Sequence, residues 1–144
     1  LMETVNQIKN NYNKSLNLNK NIKKDFGLDV IAIYKRSANI LNSESKSKLE
    51  ILGSADPGLF KNDYEKNLYK KIHAIRKYFS SIGRDEDYDE SLKTLSSAKI
   101  EVNEFFDNVI VNDQEEIIKK NRLELLKMLC KSFDNYFNFS KIEA

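Results

Sequence analysis

The 144 residues carry 24 Lys and Arg against 22 Asp and Glu, a formal net charge of +2, and 40% of them are hydrophobic. This composition is ordinary for a soluble globular protein and is sufficient for one hydrophobic core. The longest apolar run, residues 30–34, is too short to span a bilayer, and no secretory leader is recognised, so we expect a cytoplasmic protein. The single cysteine, Cys130, excludes an intrachain disulfide and fits a reducing compartment.

Apolar residues recur at helical spacing along nearly the whole chain. The pattern predicts a first amphipathic helix over residues 2–12 and a second over residues 30–42, with undefined boundaries between residues 17 and 30. Residues 43–57 are rich in Ser, Lys and Gly and predict a flexible, linker-like connection. Pro57 is the only proline, so no other proline interrupts a helix.

The second half of the chain continues the helical pattern. A third predicted helix begins at Asn62 or Asp63, either of which can cap it through its side-chain oxygen. A shorter helix follows over residues 88–95. Asp113 and Glu116 form the D-x-x-E pattern of a capping box, which predicts the start of the last helix. We therefore predict an all-α fold, a helix bundle of about five or six helices.

The distribution of charge is more informative than the net charge. Lys and Arg are in excess over the first third of the chain, whereas the last third is acidic. A phosphate backbone would be attracted to the first third. The alternative is that these lysines fill solvated helix faces, and charge alone favours this simpler interpretation.

Residues that could carry out catalysis or bind a metal ion are not recognisable. His73, the one histidine, lies on a Lys-rich helix with no nucleophile marked out beside it, and Cys130 lies in an apolar helix as an expected buried thiol. The glycines form no phosphate-binding loop, and Cys and His lack zinc spacing. The acidic run 85–90 lacks the register of a calcium loop, so we interpret it as a solvated loop.

Three blocks of sequence stand in order along the chain, and together they resemble the C-terminal end of the bacterial glycyl-tRNA synthetase β subunit. The blocks are Ile33-Tyr-Lys-Arg-Ser-Ala-Asn-Ile-Leu41, Asp56-Pro-Gly-Leu-Phe60, and residues 102–111 with the later Asn121-Arg-Leu-Glu-Leu-Leu126. The resemblance implies an all-helical anticodon-binding domain of the DALR-like type. It also implies that residues 1–144 are one domain of a larger β subunit.

In that family the enzyme is a glycine–tRNA ligase in which the α subunit activates glycine with ATP and the β subunit binds tRNA. The resemblance therefore implies that this chain takes no cofactor of its own and is non-catalytic alone. Its implied partners are the anticodon arm of tRNA-Gly, the α subunit and the remainder of the β subunit. We expect no membrane partner, and no DNA because no helix-turn-helix with a basic second helix is present.

Candidate tRNA-binding residues lie on the second predicted helix. Lys35, Arg36 and Asn39 are close together on a helix, where Lys can neutralise phosphate and Arg and Asn can hydrogen-bond base edges. Tyr34 could stack on an unpaired base, or it could belong to the core. Lys23 and Lys24 could extend the positive surface.

The alternative function is a helical protein-interaction module that docks on other domains and makes no RNA contact. The two functions differ in whether Lys23, Lys24, Lys35, Arg36 and Asn39 project onto one exposed face, and a buried Arg36 favours docking. A separate structural motif comprises Phe105, Phe106, Asp107 and Arg122. Here the aromatic rings are expected to anchor the core, with stacking on bases as the alternative. Arg122 is expected to form an ion pair with Asp107 or Glu104, with RNA contact as the alternative.

Overall fold

The computed structural model describes residues 25–44, 50–82 and 88–136. These residues form no strand, so the all-α prediction is confirmed. The helix predicted over residues 2–12 lies outside the described residues. The elements are α1 (Asp25–Glu44), a 3-10 helix (Pro57–Leu59), α2 (Asp63–Ile82), α3 (Tyr88–Ser96), α4 (Lys99–Asn108) and α5 (Glu116–Asp134).

Helix α5 is the centre of the molecule. Its consecutive residues 121–126 are all buried, and most of the following residues to Phe133 are buried as well. A helix on the surface buries only one stripe, so burial on all sides means that neighbours surround α5. Each fully buried Leu or Phe side chain contributes about 1.5–3 kcal/mol, which makes α5 the main source of core stabilisation.

Helix α1 runs antiparallel to α5 and parallel to α4. Glu44 near the end of α1 forms an ion pair with Lys119 near the start of α5, with 2.7 Å between the charged atoms. Several turns further along the same two helices, the rings of Tyr34 and Phe133 stack with their centroids 6.4 Å apart. On the opposite side, the α1 residue Asp29 pairs with Lys99 of α4. These contacts fix which face of α1 remains exposed.

Residues 52–56, which precede α2, are tied to α5, which corrects the prediction of a flexible linker for this part of residues 43–57. Residues 45–49 lie outside the described residues. The Glu124 carboxylate accepts the backbone N–H groups of Leu52 and Ser54 at 2.6 and 2.7 Å. Asn121 bonds Asp56 in both directions, accepting its N–H at 2.7 Å and donating to its carbonyl at 3.0 Å. We call residues 52–56 the strap.

Gly53 allows the strap to turn against α5. Its φ of +87° lies in the left-handed region, where a side chain is strained. A Cβ atom at this position would also lie 3.2–3.3 Å from carbon atoms of Lys127 and Lys131. Lys131 uses this closeness to donate from Nζ to the Leu52 carbonyl at 2.7 Å.

The structure decides between the capping alternatives. Asn62 caps α2, because its Oδ1 accepts the Glu65 N–H at 3.0 Å, while Glu65 accepts the Lys61 N–H in return. The capping box predicted for α5 is wrong. Asp113 accepts the Glu115 N–H only two residues on, and the cap residue Glu115 makes no side-chain cap bond. Asp113 is instead oriented towards Arg122.

Two buried groups predict how stability depends on pH. Burial, with the nearby Asp134 carboxylate as the second cause, raises the pKa of the Cys130 thiol from 9.0 to about 12. The same two causes raise the pKa of the Tyr34 hydroxyl from 10.0 to about 12. The unfolded chain therefore loses these protons at a lower pH than the folded chain.

Stability is thus expected to be full below about pH 9 and to fall as the pH rises towards 12. Between pH 8 and pH 10.5 the linked loss is about 2 kcal/mol for Cys130 and about 1 kcal/mol for Tyr34, as urea unfolding at each pH would measure. The variants Cys130→Ala and Tyr34→Phe should each lose less stability over this range than the parent chain. An equal alkaline loss in all three proteins would contradict the assignment.

Candidate nucleic-acid interface

The exposed face of α1 carries the three polar residues that the sequence singled out. Arg36 and Asn39 are exposed, and Lys35 is half-buried. At 3.6 residues per turn these three positions fall within about 100° of the helix circumference. The opposite face of α1 is apolar and packs into the core through Val30 and Ile33. The amphipathic pattern of α1 therefore presents the three side chains together at the surface.

Arg36 is held in place by an aromatic ring of α4. Its guanidinium carbon lies 4.3 Å from the centroid of the Phe106 ring. Such a cation–π contact uses the flat face of the guanidinium and leaves the N–H donors at its edge available. Phe106 is half-buried, whereas its neighbour Phe105 is fully buried. The predicted core anchor Phe105 is thus observed, and Phe106 also positions a surface arginine.

Tyr34 belongs to the core and is therefore excluded as a candidate RNA contact. Its side chain is 8% exposed and its ring stacks on Phe133. An unpaired base cannot stack on a ring that is this deeply buried. Of the two alternatives for Tyr34, the place in the core is therefore correct. Lys23 and Lys24 lie outside the described residues. The candidate set on α1 is therefore Lys35, Arg36 and Asn39.

Arg122 is structural, but its partners differ from the predicted ones. Its Nη1 donates to the Ile110 carbonyl at 2.7 Å and to Asp113 at 3.2 Å, and its Nη2 donates to Glu65 at 3.3 Å. The predicted partners, Asp107 and Glu104, are on the exposed face of α4. The carboxylate that pairs with Arg122 in the interior is that of Glu65, which is 57 residues away in sequence.

Sequence reasoning also missed the roles of Asn121 and Glu124. Both are buried polar residues on α5, and they bind the strap. A signal for them existed in the sequence. Two polar side chains spaced i and i+3 stand among the closely spaced apolar residues of α5, and buried polar groups nearly always have hydrogen-bond partners.

Groups of side chains that could hold a metal ion are absent from the described part of the chain. In the same residues no helix combines the length and the apolar composition needed to cross a membrane. The arrangement that remains is a set of hydrogen-bond donors on a rigid helix, with Arg36 fixed by Phe106. Such a surface can bind phosphates and base edges.

Comparison with known proteins agrees with this assessment. The family model for the DALR anticodon binding domain matches residues 30–144. Glycine–tRNA ligase beta subunits of Rickettsia typhi and Rickettsia prowazekii are each 36% identical over 118 residues, which is 82% of this chain. The beta subunit of Rickettsia bellii is 34% identical over 121 residues. The chain spans 17% of the length of each of these relatives. By the match over residues 30–144, the chain belongs to the DALR anticodon binding domain family.

Proposed function

We propose that this chain binds the anticodon arm of tRNA-Gly as the anticodon-binding domain of a cytoplasmic glycine–tRNA ligase β subunit. The family and the names of the relatives support the class of ligand. The observation that carries the proposal is the exposed Arg36, which Phe106 holds in place beside Asn39. A buried Arg36 would have favoured docking, whereas Arg36 is exposed together with Asn39.

The proposed mechanism is recognition by position. Backbone contacts fix the anticodon arm, and a few side chains test the bases that its loop exposes. Lys35 neutralises a phosphate as a point charge. The two cytosines shared by all glycine anticodons each present an amino donor and two acceptors on the Watson–Crick edge. Arg36 donates to the two acceptors, and Asn39 can both accept from the amino group and donate.

The chemistry of aminoacylation belongs to other parts of the enzyme in this proposal. We propose that the α subunit binds ATP and glycine, and that the remainder of the β subunit joins it to this domain. The chain itself needs no cofactor for recognition. Because the chain is a small part of its relatives, its own affinity for tRNA is one of several linked contacts.

The test compares two transcripts, a glycine tRNA and the same tRNA with a changed anticodon, by fluorescence anisotropy. The substitution Arg36→Ala is expected to weaken binding of the native transcript by roughly tenfold and to leave the changed transcript nearly unaffected. Phe106→Leu keeps the arginine but removes its ring support, so an intermediate loss is expected. Lys35→Ala should weaken both transcripts equally, because it contacts phosphate.

Lys120→Ala is the matched control, since Lys120 is an exposed lysine on a different helix, α5. It should bind both transcripts like the parent chain. If the parent chain binds the two transcripts equally, or binds neither, the chain does not read the anticodon. That outcome would favour the docking module.

A further inference from the structure

A second surface, on α2, combines positive charge with aromatic rings. Its members follow helical spacing and lie on the side of α2 opposite the buried residues Leu68, Ile72 and Ile75. The lysines and the histidine are exposed, and the tyrosine is half-buried. We call this set the α2 stripe: Lys66, Tyr69, Lys70, His73 and Lys77.

The aromatic members of the stripe are ordered by contacts with each other. Tyr69 packs edge-on against Phe60, with ring centroids 5.3 Å apart. His73 packs against Tyr69 at 4.4 Å, again edge-to-face. Phe60 therefore fixes Tyr69, and Tyr69 supports the exposed imidazole one turn further along the helix. A ring that is held in this way loses little conformational entropy when a flat ligand stacks on it.

Two exposed carboxylates lie near the stripe: Asp63, one helical turn before Lys66, and Glu104, which lines a surface groove with Lys70, but neither forms an ion pair with a lysine of the stripe. Glu65, the nearest acidic residue in sequence, is buried in its ion pair with Arg122. Lys71 lies outside the stripe and pairs with Glu101 of α4 at 3.7 Å. Within the described residues, no ion pair involves Lys66, Lys70 or Lys77. Three charges spaced along one helix face suit a run of phosphates.

The α2 stripe is separate from the polar surface of α1. Helix α4 lies between them, since it contacts α1 through Arg36 and Phe106 and contacts α2 through Glu101. Between these two contacts, around the circumference of α4, lie the exposed acidic residues Glu104 and Asp107. Negative charge at this position repels phosphate, so one continuous basic surface does not form.

We propose that the α2 stripe is a second, sequence-independent RNA-binding surface, in which the lysines contact phosphates and His73 stacks on an unpaired base. The inference rests on the proposed function for the identity of the RNA, a tRNA. It assigns to α2 a task that α1 does not perform. The α1 residues discriminate between bases, whereas the α2 stripe supplies affinity that is independent of sequence.

The exposed residues favour RNA over a membrane surface as the anionic partner. A helix that lies on a membrane needs large apolar side chains beside its lysines. In the described part of the chain, large exposed hydrophobic residues occur on α1, α4 and α5, in the strap and in the α4–α5 loop, but none occurs on α2. Rings that alternate with lysines are instead typical of surfaces that bind single-stranded nucleic acid.

The test uses two double variants with the same change of charge. Lys70→Gln with Lys77→Gln alters the stripe, and Lys93→Gln with Lys120→Gln alters exposed lysines elsewhere. The stripe variant should bind both the native and the anticodon-changed glycine tRNA roughly five- to tenfold more weakly, with little change in their ratio. Between about 50 and 200 mM salt, the slope of log affinity should become shallower by about 1.5. The control variant should keep the parent slope.

A single substitution tests the stacking contact. His73→Ala should weaken binding by at least about fivefold, and His73→Phe should restore it, because any aromatic ring provides a face for stacking. A merely electrostatic role for His73 would not be rescued by phenylalanine, and that result would overturn the stacking assignment.

The outcomes separate this inference from the proposed function. Anticodon preference in the parent chain, with unchanged affinity and salt slope in the stripe variant, overturns the α2 contact and leaves the α1 proposal intact. If the parent chain binds both transcripts equally and the stripe variant binds both more weakly, the α2 contact is supported and anticodon reading is overturned. If the parent chain binds no RNA but binds anionic phosphatidylserine vesicles, and the stripe variant loses that binding, both the α1 and the α2 proposals are overturned in favour of a membrane partner.

Discussion

Replacing Arg122 by leucine is expected to lower the free energy of unfolding by about 3–5 kcal/mol, the range found when one partner of a buried ion pair is removed. The side chains of Arg122 and Glu65 are only 7% and 1% exposed. Without the guanidinium, the Glu65 carboxylate would remain buried with no positive charge beside it. The Ile110 carbonyl would lose its donor as well.

Urea unfolding of the variant measures this loss, with Lys120→Leu as the control at an exposed position of the same helix. The double variant Arg122→Leu with Glu65→Gln should recover part of the stability, because it removes the uncompensated charge while the amide still accepts a hydrogen bond. A loss below about 1 kcal/mol in the single variant would contradict the structural assignment. Arg122 would then return to the list of possible RNA contacts.

Removing the Glu124 carboxylate is expected to have the second-largest effect. Two backbone N–H groups donate to it at 2.6 and 2.7 Å, and hydrogen bonds to a charged group contribute about 1.5–3 kcal/mol each. Glu124→Ala should therefore lower the free energy of unfolding by about 3–4 kcal/mol. Glu124→Gln should lose roughly half of this amount, since its amide retains one acceptor oxygen.

Hydrogen exchange locates the effect of the Glu124 variants. The amide protons of Leu52 and Ser54 should exchange faster in Glu124→Ala than in the parent chain under conditions where the α5 core remains protected. Glu116→Ala is the control, because Glu116 is an exposed glutamate at the start of α5. If the Leu52 and Ser54 amide protons exchange at equal rates in Glu124→Ala, Glu116→Ala and the parent chain, the strap is held by other contacts.

Features that depend on residues close together in the chain could be predicted from the sequence. Helical period predicted the all-α class, and the Asn62 cap was one of two local choices. Helical spacing also placed Lys35 and Asn39 on one face, with Arg36 alongside. These predictions succeed because the interacting residues are within one or two helical turns.

Features that join distant parts of the chain could not be predicted in this way. The pairing of Arg122 with Glu65, and of Glu124 with the strap, spans 57 and 70–72 residues. A local pattern such as D-x-x-E was misleading at Asp113, because this carboxylate also contributes to the long-range site around Arg122. Arg122 was identified from the sequence as needing a partner whereas Glu124 was missed, and in both cases the packing of α5 selects the partner.

The central position of α5 has a consequence for synthesis on the ribosome. Helices α1 to α4 emerge first, yet α1 and α2 each pack one apolar face on α5. The strap likewise has no partner until Glu124 has been made. The nascent chain must therefore keep apolar helix faces uncovered until α5 emerges, and chaperones that shield such faces would act during this interval.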